Sequence, residues 1–163
     1  MYKYVLAIDP GVTTGYCWSY INYEEKEIHI LTVGEFNRWS RIEEFLSVID
    51  NTNTCIVYEG FRFALNLRNN VRAGACTNSP SEVIGVIRFL ADKFNIQVYE
   101  QLPHERKVVL KWYNEMLHRF PSHYGDATQH NILQCYKLMG NKLGTLVYDY
   151  KELLLNLDSC ISY

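Results

Sequence analysis

The chain has 163 residues, 48% of them hydrophobic and 21% charged, with a formal net charge of −2. That size and balance suit one folded domain, read as residues 1–163 with 141–163 as a C-terminal extension, and no apolar run approaches the ~20 residues of a membrane helix. No basic-then-apolar leader opens the chain. Its five scattered cysteines, Cys17, Cys55, Cys76, Cys135 and Cys160, form no Cys-x-x-Cys pair, which argues against a disulfide framework or zinc site and for reduced thiols in the cytoplasm.

From the N-terminus, residues 3–9 (KYVLAID) are nearly all apolar and predict a strand covered on both faces. A Pro10-Gly11 turn leads to an aromatic-rich strand over Tyr16–Tyr23, and Glu27–Phe36 alternates as a third, antiparallel strand. Residues 38–50 place Trp39, Ile42, Phe45, Leu46 and Ile49 on one helical face. Thr54–Glu59 (TCIVYE) is a short apolar strand that, like the first, ends in a carboxylate. Residues 60–79 are polar and Asn- and Arg-rich, a loop or short helix. Asn78-Ser79-Pro80 then caps and starts a helix carrying Val83, Val86, Ile87, Leu90 and Phe94. A short strand at Ile96–Tyr99, a mixed-charge helix over 104–118, and a last strong helix from Pro121-Ser122-His123 follow, the last with Ile132, Cys135, Tyr136 and Met139 as its stripe. A short helix is expected near 150–157.

The order β-β-β-α-β-α-β-α-α predicts an α/β fold, a mixed central sheet of about five strands flanked by helices. The helix over 38–50 serves as the crossover that returns the chain parallel to the first strand.

That pairing has a chemical consequence. Alternation puts Asp9 on the face of Val5 and Ala7, and Glu59 on the face of Cys55 and Val57. Parallel neighbours would set the two carboxylates side by side at the carboxyl ends of their strands, where open α/β sheets bind ligands. Carboxylates so placed repel unless a cation lies between them or one takes up a proton, and an oxygen-rich site of this kind suits Mg²⁺. His123 and Asp126, three apart, share a face near the start of the last helix.

The set Ile8-Asp9-Pro10-Gly11-x-Thr13-x-Gly15, then Val57-Tyr58-Glu59, then His123-x-x-Asp126-Ala127 resembles the RuvC-type Holliday-junction resolvases of the RNase H-like superfamily, over roughly residues 3–140. The resemblance implies an RNase H-like fold and a metal-dependent endonuclease that cuts four-way junctions, and flaps and forks as well, by paired nicks on symmetric strands. It implies a homodimer, and Mg²⁺ as cofactor at two ions per site, with Mn²⁺ able to substitute. By position it makes Asp9, Glu59 and Asp126 metal-binding, catalytic carboxylates. His123 would ligate the second metal or move a proton. The Tyr-rich composition, the tail beyond Met139 and the mild acidity are closer to the resolvases carried by bacteriophages.

The net charge of −2 is not that of a basic nucleic-acid-binding domain, but its distribution is uneven. Residues 61–77 hold Arg62, Arg68 and Arg72 and no acid. These arginines form either a solvated loop or a phosphate-contacting one. Phe61 and Phe63 either enter the core or stack at a branch point. Lys107 and Lys111, four apart, are a solvated helix face or, in the segment where the resemblance has its DNA-binding stretch, a DNA contact. Other readings are a non-cleaving branch-binding module and another RNase H-like nuclease acting on RNA–DNA hybrid or RNA. An actin-like ATPase, which also opens on Asp-x-Gly-x-Thr, needs a larger two-lobed body than 163 residues supply.

Overall fold

The computed structural model describes residues 1–60, 80–117 and 122–148, with 114–117, 122–123 and 148 described by their backbone alone. A six-stranded mixed sheet runs in the order β5-β4-β1-β2-β3-β6. Its strands are β1 (Tyr4–Asp9), β2 (Thr14–Asn22), β3 (Glu27–Phe36), β4 (Thr54–Glu59), β5 (Gln97–Gln101) and β6 (Thr145–Tyr148). The first three form an antiparallel meander, whereas β4 pairs parallel with β1, β5 with β4, and β6 with β3.

The helices among the described residues are α1 (Trp39–Val48), α2 (Pro80–Lys93), α3 (Lys107–Leu117) and α4 (Ser122–Leu138). None is long and apolar enough to cross a membrane. They divide between the two faces of the sheet. Leu6, Ile8, Trp18, Ile56 and Tyr58 pack under Ile42 and Leu46 of α1 and Val83, Ile87 and Leu90 of α2. Val5, Ala7, Cys17, Cys55 and Val57 pack under Ala127, Ile132, Leu133 and Cys135 of α4 and Val109 of α3. Central strand β1 is covered on both sides, with Val5, Leu6, Ala7 and Ile8 all fully buried, as its unbroken apolar run requires.

The expected order of elements stands, with one strand more. β6, only four residues long, adds an outer edge within the segment read as a C-terminal extension. β3 carries a second surprise. Its pairing with β2 steps from Trp18↔Thr32 to Ser19↔Ile30, leaving Leu31 as an extra residue. This bulge flips the alternation, so Ile28 and Ile30 share a face with Val33 despite the odd spacing, and Leu31 is exposed. Trp39 is a correction: it opens α1 at the surface, 42% exposed, so the buried stripe of that helix is Ile42 and Leu46. The 104–118 helix begins later, at Lys107, because Glu105 folds back to accept the Leu102 N–H at 2.6 Å and holds the preceding turn. The expected cap at Asn78-Ser79 and the short helix near 150–157 lie outside the described residues.

Candidate active site

Asp9 is the last residue of β1 and Glu59 the last of β4. Parallel register pairs Ile8 with Tyr58, so the two carboxylates end neighbouring strands at one edge of the sheet. Alternation turns both toward the face covered by α4, because Val5, Ala7, Cys55 and Val57 all lie in that core. The turn beyond Asp9 is closed by Thr14 Oγ1 donating to the Gly11 carbonyl at 3.1 Å. Beyond Glu59, a Cβ on Gly60 would sit 2.3 Å from Glu100 Oε1. Glycine therefore lets the chain leave β4 without dislodging Glu100 from Tyr58 (3.1 Å) and Arg88 (3.1 Å) on the opposite face.

The third carboxylate comes from α4, and that helix is locked to the sheet. Fully buried Asn131 donates through Nδ2 to the carbonyls of Val5 (2.8 Å) and Cys17 (3.0 Å) and accepts from Ser19 Oγ at 2.6 Å. One amide thus ties the helix to β1 and β2 at once. Asp126 and His130 lie five and one residues before it in the chain, on turns that face the strand ends.

Two basic side chains knit the carboxylates together. Arg106, from the turn before α3, donates through Nε to Glu59 Oε2 at 2.9 Å. Its two Nη groups grip Asp126 Oδ1 and Oδ2 at 2.6 and 2.7 Å, a bidentate fork. Behind Glu59, fully buried His130 brings Nε2 to 2.8 Å from the same Oε2, while its Nδ1 lies 2.8 Å from Gln101 Oε1. Gln101 in turn donates to Gln134 Oε1 at 3.0 Å, so the ring is fixed from both sides.

The electrostatics differ across the three acids. Burial and the negative charges of Glu59 and Asp126 push Asp9 from 3.8 to about 7, and the Arg106 charge offsets only part of this. Burial also acts on Glu59, but the hydrogen bonds from His130 and Arg106 outweigh it and hold its carboxyl below the usual range. Asp126 stays above its ordinary value, because burial and the Glu59 charge exceed what Arg106 recovers. The site holds more negative charge than its one guanidinium and one imidazole settle.

That excess is the test of whether a divalent cation fits. The donors are hard carboxylate oxygens on rigid strand and helix positions, and a guanidinium already stands between Glu59 and Asp126 as a stand-in cation. The residues fit such an ion. As the side chains stand, no three His, Cys, Asp or Glu side chains among the described residues form a ready cation cage.

Of the residues singled out in the sequence, Asp9, Glu59 and Asp126 gather here. The backbone of His123 lies in the first turn of α4, and its side chain lies outside the description. Lys107 and Lys111 are exposed on α3. Phe61, Arg62, Phe63, Arg68 and Arg72 lie outside the described residues. Sequence reasoning missed Arg106 and His130. The signal for His130 was its spacing, four residues after Asp126 on the same side of the helix. Arg106 had none, since its role depends on how the turn before α3 is closed.

No protein-family model matches the chain, and no curated protein does. Solved structures do match. Thermus thermophilus RuvC in complex with a Holliday junction substrate superposes with a TM-score of 0.62 at 17% identity, over 86% of this chain and 99% of that one. Fowlpox virus resolvase in complex with its substrate Holliday junction DNA gives 0.53 at 11% identity, over 83% and 98%. The fold is RNase H-like. Within this RNase H-like frame the meander β1–β2–β3, the parallel pair β1–β4 and the late helix α4 are what bring Asp9, Glu59 and Asp126 to one edge.

Proposed function

We propose that this chain is a divalent-metal-dependent, structure-selective endonuclease that resolves four-way DNA junctions and cuts related branches. The observation that carries the reading is the approach of Asp9, Glu59 and Asp126 from β1, β4 and α4, the last two bridged by the Arg106 guanidinium. Its support is the RNase H-like frame, shared with a RuvC and a viral resolvase whose structures hold Holliday junction DNA. The reading includes Mg²⁺, replaceable by Mn²⁺, and a homodimer that nicks symmetric strands.

Asp9, Glu59 and Asp126 would hold the metal, with His123 placed by its backbone on the same helix as Asp126. Bound there, divalent ions would lower the pKa of an attacking water and stabilise the charge on a leaving 3′-oxygen. His130 keeps Glu59 ionised and aimed, since its ring is braced by Gln101. Lys107 and Lys111, exposed on α3 beyond Arg106, would contact the phosphate backbone. From the sequence alone, Arg62, Arg68 and Arg72 would add phosphate contacts and Phe61 and Phe63 would stack at the branch point.

Purified protein with Mg²⁺ is expected to nick a synthetic four-way junction and spare linear duplex. Asp9→Asn, Glu59→Gln and Asp126→Asn should each lower nicking by at least ~10²-fold while junction binding persists. Equal cutting of linear and branched DNA would remove the resolvase reading and leave the nuclease one. Preference for RNA–DNA hybrid would assign the site to another RNase H-like activity.

A further inference from the structure

We propose that Arg106 is a built-in counter-cation of the carboxylate site, which a divalent ion must displace to bind. The inference rests on the reading of the site as a metal site. Its grounds are geometric. A guanidinium has three nitrogens, and all three are spent on two of the carboxylates, Nε on Glu59 at 2.9 Å and the two Nη on Asp126 at 2.6 and 2.7 Å. An ion bridging β4 and α4 through those oxygens would meet the guanidinium on the same lone pairs and have to displace it; of the two carboxylates only Glu59 Oε1 lies outside the fork.

The placement of Arg106 suits release. Glu59 and Asp126 stand on a strand end and a pinned helix, but Arg106 hangs from the turn between β5 and α3. That turn is anchored without it: Glu105 accepts from the Leu102 N–H at 2.6 Å and from Lys137 Nζ at 3.1 Å. The arginine side chain can therefore leave by rotation about its own bonds, with no element unpicked, and it is already 17% exposed. Asp9 lies outside the fork; among the described residues Arg106 donates to Glu59, Asp126 and Gln129. The latch thus satisfies two of three acids and leaves the site short of positive charge, which favours exchange for an ion of higher charge.

One consequence separates this role from a merely structural ion pair: removing the guanidinium should tighten metal binding, because the ion no longer has a competitor. Loosening of the metal-free protein, where Glu59 and Asp126 then face each other uncompensated, is common to both roles.

The test uses the full chain without DNA. Mn²⁺ binding is measured by titration calorimetry for the wild type, Arg106→Gln, Arg106→Lys and Glu59→Gln, and each is melted in chelator and in Mn²⁺. Arg106→Gln is expected to bind Mn²⁺ about tenfold or more tightly than the wild type, to melt lower in chelator, and to gain a larger upward shift on adding Mn²⁺. If Arg106→Gln does not fold, Arg106→Lys decides by the same criteria, since an ammonium cannot reproduce the fork. Equal or weaker Mn²⁺ binding by the arginine variant overturns the latch while the metal site stands, provided Glu59→Gln loses binding. Absence of binding in wild type and arginine variant alike overturns the metal-site reading, and the latch with it.

Discussion

Asp9 is the acid of the site whose ionisation burial and its neighbours oppose most strongly, and its chemistry is measurable without substrate. Its carboxyl, raised from 3.8 to about 7, is protonated in the folded, metal-free protein at a pH where the unfolded chain has released that proton. This group therefore favours folding at low pH, and the contribution is lost as pH climbs from about 4 through 7. Glu59, held below its ordinary value, works in the opposite sense, but its window lies below 4.5. In chelator the melting temperature should fall between pH 5.5 and 8, and Asp9→Asn should flatten that slope. An unaltered slope in the variant would mean that Asp9 is not strained by its neighbours. His130 acts at one remove. His130→Ala should weaken Mn²⁺ affinity and junction nicking by roughly 10–100-fold, as loss of an orienting partner does in other metal sites; unaffected binding would reduce it to a packing residue. Asp9 and Glu59 were legible only as a pair, because each ends an apolar strand and the two strands were expected to lie parallel; either alone could be the polar residue of a strand-ending turn. His130 was not, because a buried histidine and a braced one look alike until the partner strand is in place.

At the scale of elements, the site depends on register more than on any single bond. The parallel pairing of β1 and β4 sets Asp9 beside Glu59, and Asn131 fixes α4 against β1 and β2. Asn131→Leu would leave the carbonyls of Val5 and Cys17 and the Ser19 hydroxyl short of partners in a fully buried place. It should cost about 2–4 kcal/mol in a denaturant titration and depress nicking through misplacement of Asp126. A neutral substitution would contradict the role given to that amide. Strands β1 and β4 were readable from apolar runs, and α4 from its stripe. The bulge at Leu31 was not, since periodicity assumes uninterrupted alternation. Nor was Trp39's exposure, because a helical face is defined by spacing alone. β6, with four residues, is too short to carry a pattern.

For the molecule as a whole, the sheet separates two cores, and the candidate site lies at the edge of the one beneath α3 and α4. Cys17, Cys55 and Cys135 are fully buried there, and burial raises all three thiols, Cys55 and Cys135 to about 12. Native protein should therefore protect these three from a thiol-alkylating reagent until it unfolds, as peptide mapping can check; rapid labelling of any would contradict the packing of this core. The fold class was legible from the order of elements. The closing of the site was less so, because two of its charged partners come from segments distant in sequence, Glu59 and His130 being 71 residues apart. The most direct test of the account is a crystal structure of the protein soaked in Mn²⁺, with anomalous differences recorded. The account predicts a peak ligated by Asp9, Glu59 and Asp126 with the Arg106 fork opened. Arg106 still clamped on Asp126 and manganese bound elsewhere, or not at all, would contradict it.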